Sequence, residues 1–122
     1  VQPLPRITGM QVFSRDHLIV WGDWSTQQRT SILESVDGGV TFQQKPSPCA
    51  QVETAAWLNP AQGVVVDRLS RVFVTQDGKN FQQIDLPCTA LSKIRDAATD
   101  RNNVWICGDQ GQIYRSSNFI DW

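Results

Sequence analysis

The chain repeats itself with a period of about 40 residues, and this periodicity limits its fold more than any other feature. Residues 32–57 run parallel to residues 72–98, with Asp-Gly, Phe-Gln-Gln and Pro-Cys at matched places. A third, shorter copy begins at residue 104. Because a fixed period of about 20 to 50 residues is typical of solenoids, propellers and arrays, one supersecondary unit is expected three times.

Each copy is built from short apolar runs: HLIVWG with TSILES, GVVVD with RVFVT, and NVWICG with QIYRS. Runs of this length, rich in Val, Ile, Trp and Phe and bounded by Gly, Asp, Asn and Ser, are typical of β-strands. In the second copy we predict strands at roughly residues 53–58, 63–67, 70–75 and 80–85. The segment LSKIRDAATD, from Leu91, is also predicted to be extended.

Four antiparallel strands in about 40 residues have the size of a β-propeller blade. The chain is therefore predicted to be all-β, with three four-stranded antiparallel blades in a single partial propeller domain over residues 1–122. The repeats are placed approximately at residues 6–46, 47–86 and 87–122, and residues 1–5 are a candidate closing strand. Since propellers typically have about four to eight blades, the three blades are predicted to be part of a larger propeller or to be completed by oligomerisation.

A polar turn recurs in each copy. Its first occurrence, SVDGGVTF at residues 35–42, resembles the Asp-box, S/T-x-D-x-G-x-T-W/F, of BNR-repeat β-propellers. That family includes sialidases, sortilin-type receptors and photosystem II stability/assembly factors. The turn positions in the three copies are Ser35, Asp37, Gly39, Thr41, Phe42, Thr75, Asp77, Gly78, Asn80, Phe81, Ser116, Asn118 and Trp122.

These turns are predicted to be structural. Asp accepts hydrogen bonds from nearby backbone amides, Gly takes a positive φ at little cost, and the aromatic residue is expected to pack between sheets. The alternative is a metal or glycan site. A calcium site needs about six to eight oxygen ligands, whereas each turn offers one or two carboxylates, so neither a metal nor a cofactor is predicted.

Sialidase chemistry has to be considered because the resemblance includes those enzymes. It would imply an arginine triad, a Tyr/Glu nucleophile pair and an Asp acid/base. The chain has one Tyr, Tyr114, and two Glu, Glu34 and Glu53, at positions that do not predict such a pair. His17 is the sole histidine and has no partner motif for a triad or a metal site. We predict no catalytic residue and no enzymatic activity.

Charge, hydropathy and cysteine content exclude further classes. The formal net charge is -1, from 11 basic and 12 acidic residues, which gives no electrostatic reason to expect nucleic acid. The apolar runs are far shorter than the roughly 20 residues that cross a bilayer, so no membrane insertion is predicted. Cys49, Cys88 and Cys107 form no CxxC pair, and free thiols are predicted.

The loop DWSTQQRT lengthens the hairpin of the first copy and is the predicted recognition surface. Loops on a rigid scaffold often carry function, and aromatic and Arg side chains suit contact with a partner. The candidate residues are Trp24, Gln27, Gln28 and Arg29. By contrast, Trp21 and Trp105 stand at matching places in their copies and are predicted to be core residues.

Residues 104–118, VWICGDQGQIYRSSN, are similar to the strand, Gly-Asp hairpin and strand unit of photosystem II stability/assembly factor-like propellers. That resemblance implies a non-catalytic assembly scaffold. We therefore predict a non-enzymatic propeller that mediates protein–protein interaction or the assembly of a larger complex or particle, with a protein partner and homo-oligomerisation as one route to ring closure. The alternative is a carbohydrate-binding or sialidase-derived propeller that recognises glycans.

Overall fold

Three antiparallel β-sheets pack face to face in the computed structural model, which describes residues 6–23, 31–86, 93–100 and 102–122. These residues contain no helix, and the all-β prediction is confirmed. The first sheet has the strand order β1 (Arg6–Val12), β2 (Leu18–Asp23), β3 (Ile32–Ser35) and β4 (Gln43–Gln44). The second has β5 (Val52–Asn59), β6 (Gln62–Asp67), β7 (Val72–Thr75) and β8 (Gln82–Ile84). The third, among the described residues, has β9 (Ile94–Thr99), β10 (Val104–Gly108) and β11 (Ile113–Ser116).

Each sheet is a meander, because hydrogen-bonded strands are consecutive in the chain. The four strands predicted for the second copy are confirmed to within two residues at each end, and the predicted extended segment from Leu91 is strand β9 over Ile94–Thr99. Strand β7 begins later than predicted because Ser70 has a φ of 63°. It lies in a turn where Asp67 Oδ1 accepts hydrogen bonds from the amides of Leu69 and Arg71 at 3.0 and 2.9 Å.

The core consists of two apolar layers, one on each face of the second sheet. The layer shared with the first sheet includes Ile19, Trp21, Trp57, Val65 and Phe73. The layer shared with the third sheet is formed by Ala56, Val64, Val66, Val72, Val74, Ile94, Val104, Ile106 and Phe119. Strand β6 therefore sends alternate side chains into both layers, which explains why its apolar run is continuous.

A tryptophan covers a glycine on the neighbouring strand in each of the first two sheets. Gly9 lies opposite Trp21, and a Cβ added to this glycine would be 2.5 Å from the indole nitrogen. Gly63 lies opposite Trp57, where an added Cβ would be 2.4 Å from the ring. The glycines leave room for the rings to lie flat on the sheet, in the layer between the first and second sheets.

The prediction that Trp105 is a core residue is wrong. Its register partner is Arg115, and its side chain lies on the face of the third sheet that points away from the second sheet. Trp105 is 37% exposed, whereas Trp21 is buried as predicted. The physical reason is the neighbouring sheet: Trp105 is equivalent to Ile19 and lies on the same face as Trp21, but this face is covered by the second sheet in the first sheet and by no described sheet in the third.

Candidate functional site

The first polar turn is closed by hydrogen bonds from its own side chains. Asp37 Oδ1 accepts from the hydroxyl of Ser35 at 2.8 Å and from the amide of Thr41 at 2.9 Å. The Thr41 hydroxyl donates to the other carboxylate oxygen. Ser35 Oγ accepts from the amide of Gly39, which has a φ of 90°. The polar side chains predicted for this turn, Ser35, Asp37 and Thr41, are all engaged within it.

The second turn has the same design with one residue fewer. Asp77 Oδ1 accepts from the amides of Lys79 and Asn80, both at 2.8 Å. The side-chain amide of Asn80 donates to Asp77 Oδ2, also at 2.8 Å. Thr75 Oγ1 accepts from the amide of Gly78 at 2.9 Å, as Ser35 does in the first turn. Asn80 thus takes the place that Thr41 has in the first copy.

The third turn keeps these bonds although its sequence has departed from the pattern. Asn118 Oδ1 accepts from the amides of Ile120 and Asp121 at 2.9 Å. Its amide nitrogen donates to Asp121 Oδ2 at 2.9 Å, so donor and acceptor are exchanged relative to Asp77 and Asn80. Phe119 occupies the position of Gly78 with a φ of 64°, and its ring is buried against the second sheet.

The aromatic residue that follows each turn packs against apolar side chains. Phe81 meets the Trp57 ring edge-on, with centroids 6.3 Å apart, between the first and second sheets. Trp122 packs into the layer between the second and third sheets. Phe42 packs on Val20 and Leu33, on the face of the first sheet that points away from the second.

Hydrogen bonding keeps the turn aspartates ionised. The Thr41 hydroxyl and amide, with Ser35, lower the pKa of Asp37 from 3.8 to about 2. The amides of Asn80 and Lys79 hold the pKa of Asp77 well below its usual range. Both carboxylates face solvent, but their lone pairs are already used inside the turn. This arrangement is suited to stabilising a hairpin, and it leaves few oxygens for a metal ion.

Sequence reasoning missed two further aspartate turns. Asp67 is buried and binds Arg71 through its Nε at 2.6 Å, in addition to the two backbone amides described above. Asp100 accepts from the indole nitrogen of Trp105 at 3.0 Å and from the amides of Asn102 and Asn103, and these bonds lower the pKa of Asp100 from 3.8 to about 2. The Asp-Arg-Leu-Ser-Arg and Asp-Arg-Asn-Asn stretches carry the signal, since Asp commonly bonds amides two residues on.

The Tyr114 and Glu34 side chains weighed as a nucleophile pair are not brought together. Glu34, on β3, is bonded to His17 Nε2 at 2.5 Å and lies 3.8 Å from Lys45 Nζ. Lys45 is buried and lies over the Trp57 ring, so the cluster links the first sheet to the second. Tyr114 is on β11 in the third sheet, away from this cluster in the fold. Within the described part of the chain, no group of three or more His, Cys, Asp or Glu side chains could hold a metal ion.

Several predicted features lie outside the described residues. These are the recognition residues Trp24, Gln27, Gln28 and Arg29, together with Cys88 and the candidate closing strand at residues 1–5. Cys49 and Cys107 are free, and burial raises the pKa of the Cys49 thiol from 9.0 to about 11. The described ranges also hold no helix that could cross a membrane.

The innermost strands of the three sheets are joined by one side chain. Gln11 accepts a hydrogen bond from the Trp57 amide at 2.8 Å and donates to the Trp57 carbonyl. The same Gln11 nitrogen donates to Thr99 Oγ1 at 3.2 Å, and that hydroxyl donates to the Trp57 carbonyl. The first, second and third sheets therefore meet at the backbone of a single residue, Trp57.

A groove of about 360 Å³ opens between the second and third sheets. Its floor is apolar, with Ile94 and Ile106 on the third sheet. Its rim carries the exposed Leu69 and two charged groups: Arg71 is half exposed and held by Asp67, and Asp85 is exposed. Grooves of this size with an apolar floor and a few polar groups are typical of ligand sites. No residue of this groove was in the predicted site set.

Meander sheets of about 40 residues, packed face to face with their first strands innermost, are blades of a β-propeller. No protein-family model and no curated protein sequence matches the chain. Among solved structures it is similar to YCF48 bound to D1 peptide, with a TM-score of 0.69 and 20% identity over 93% of this chain and 39% of that chain.

It is also similar to YCF48 from Cyanidioschyzon merolae, with a TM-score of 0.71 and 20% identity over 98% of this chain and 38% of that chain. The chain thus spans less than two fifths of the length of either YCF48 chain. YCF48 is a photosystem II assembly factor with a β-propeller fold. The prediction of β-propeller blades in the style of such factors is therefore confirmed at the level of the fold.

Proposed function

We propose that this chain is a non-enzymatic β-propeller scaffold that binds an extended segment of a partner protein in the groove between its second and third sheets. The groove carries the proposal, because its apolar floor can take side chains and its polar rim can pair with peptide groups. The polar turns stabilise the blades, because their side chains form hydrogen bonds with backbone amides of the same turn.

The groove is well supported from below. Ser70 Oγ accepts a hydrogen bond from the Ile94 amide at 3.0 Å, which ties the second sheet to the third under the rim. The Arg71 guanidinium lies 5.9 Å from the Phe73 ring centroid and is bound to Asp67, so its charge is held in place. A rim cation that is already positioned loses less side-chain entropy when it binds a carboxylate or a carbonyl.

The similarity to solved YCF48 structures gives independent but weaker support for peptide binding. One of the two similar propellers is recorded with a bound peptide. A propeller of this fold can therefore take a peptide ligand, although fold analogy does not transfer the ligand itself.

The test uses a phage-displayed library of random linear peptides, selected on the intact chain. We expect enriched peptides whose binding is weakened at least about 30-fold by Leu69→Asp or Asp85→Lys at the groove rim, on the scale of interface hot spots. Val40→Asp, an exposed residue of the first turn, is the matched control and should bind normally.

Three other results would contradict the proposal. Specific signals on a glycan array, with no peptide enriched, would favour a carbohydrate-binding propeller. Hydrolysis of a fluorogenic sialoside by the chain would contradict the non-enzymatic assignment. Peptide binding that persists in both rim variants would place the site elsewhere on the molecule.

A further inference from the structure

The three sheets share one register, which allows their faces to be compared position by position. In the second strand of each sheet, one residue pairs with the Ser or Thr that begins the polar turn, and these residues are Leu18, Gly63 and Val104. Two residues further along the strand lie Val20, Val65 and Ile106, which are therefore equivalent. Their side chains point to the same face of their respective sheets.

In the second and third sheets this face is covered by the preceding sheet. Val65 and Phe81 pack in the layer against the first sheet. Ile106 and Trp122 pack in the layer against the second sheet. Two sheet-on-sheet contacts in the chain thus use the same face of the later sheet, which we term the head face.

Among the described residues no other sheet covers the head face of the first sheet, although Val20 and Leu33 at its centre are buried within their own cluster. Val20, Leu33 and Phe42, the equivalents of the covered residues, form a separate small cluster. Next to them on β1, Met10 pairs with Val20 and Val12 pairs with Leu18, so both share this face. Met10 is 56% exposed and Val12 is 58% exposed.

The third sheet has the complementary open face, which we term the tail face. Trp105 is equivalent to Val64 of the second sheet, and Ile113 is equivalent to Val72. Val64 and Val72 are buried against the third sheet, whereas Trp105 is 37% and Ile113 is 68% exposed. The contact between a tail face and a head face thus occurs twice within the chain. The head face of the first sheet and the tail face of the third sheet are left without a partner sheet among the described residues.

We infer that a second copy of this chain binds head to tail, with its tail face on the head face of its neighbour. The contact continues the series of sheet-on-sheet packings already present, so no new geometry is required. Head-to-tail contacts that close give a ring, and the expected species is a discrete oligomer. This inference stands apart from peptide binding in the groove, which lies within a single chain.

The test combines one variant of each face. Met10→Lys blocks the head face and Ile113→Lys blocks the tail face, and both residues are exposed enough for the fold to survive, which circular dichroism checks. In sedimentation velocity we expect wild type to form a discrete oligomer and each variant alone to be monomeric at the same concentration, through a loss of at least about 30-fold in affinity. Val40→Lys, at an exposed position of the first turn outside the strands, is the control and should assemble like wild type.

Mixing the two variants identifies the faces that meet. The Met10→Lys copy keeps an intact tail face and the Ile113→Lys copy keeps an intact head face, so an equimolar mixture should give dimers and nothing larger. A mixture that stays monomeric would exclude the head-to-tail contact. So would a wild-type chain that is monomeric at all concentrations, which is the result expected if other blades or another protein cover these faces. Val12→Lys and Trp105→Lys repeat the test should either first variant fail to fold.

Discussion

The middle strands of the second and third sheets have the same register but different surroundings. In β6, residues 64–66 are all fully buried, because the first and third sheets cover the two faces of the second sheet. In β10, Val104 and Ile106 are buried but Trp105 between them is exposed. The hairpins therefore determine which side chains share a face of the sheet. The neighbouring sheet determines whether that face is buried or exposed to solvent.

The largest expected effect comes from placing a charge at equivalent positions of these strands. Val64→Asp should reduce the free energy of unfolding by more than about 4 kcal/mol, because the carboxylate has no partner in the apolar layer. Trp105→Asp should cost only about 1–2 kcal/mol, since the ring is already partly in water. Urea unfolding of the monomeric chain measures both, and equal losses would show that the third sheet is covered on both faces.

The second prediction concerns the link between the sheets. Gln11→Ala should lower the free energy of unfolding by about 1–3 kcal/mol, because the amide and carbonyl of Trp57 lose a side-chain partner. Gln44→Ala, at an exposed position of β4, is the control and should change stability by less than about 0.5 kcal/mol. If both variants unfold at the same urea concentration, the contact at Trp57 does not hold the sheets together.

A smaller effect is expected from exchanging donor and acceptor in the third turn. Asn118→Asp should place a second carboxylate beside that of Asp121 and destabilise the turn by about 0.5 kcal/mol at neutral pH. Adding Asp121→Asn should restore the bond in the polarity seen between Asp77 and Asn80. The double-mutant cycle, measured by thermal unfolding, should show this recovery, and additive losses would contradict it.

The smallest effect is the acid dependence of the first turn. The pKa of Asp37 is lowered from 3.8 to about 2 in the folded chain, so ionised Asp37 stabilises the fold above about pH 4. That contribution is lost as the pH falls from 3.8 towards 2. Urea midpoints at pH 5 and pH 2.5 should therefore differ less for Asp37→Ala than for wild type. The exposed Asp85→Ala is the control and should keep the wild-type difference.

Much of the fold could be predicted because strands and turns are local. The Val-rich runs and the aspartate turns lie within a few residues of one another, and their period gives the sheet order. The environment of Trp105 could not be predicted in this way. Its side chain points to the same face of its sheet as that of Trp21, but the second sheet covers this face in the first sheet and no described sheet covers it in the third, which a local pattern does not show.

The candidate groove could not be predicted from sequence patterns either. It is formed by Ser70 and Arg71 from one turn, Asp85 after β8, and side chains of the third sheet. These residues are separated in the chain and come together only when two sheets pack. The hydrogen bond of the third turn was also not predictable from the motif. Asn118 and Asp121 form it with donor and acceptor exchanged relative to the second turn.

The meander order has a consequence for how the chain acquires its structure. All strand pairing within a sheet is between neighbours along the chain, so each hairpin can close through a short loop with a small entropic cost. Distant segments need to meet only when preformed sheets dock through their apolar layers. Folding should thus proceed from independent hairpins to the docking of sheets. The amide protons of β6 should exchange most slowly with solvent, because docked sheets cover this strand on both faces.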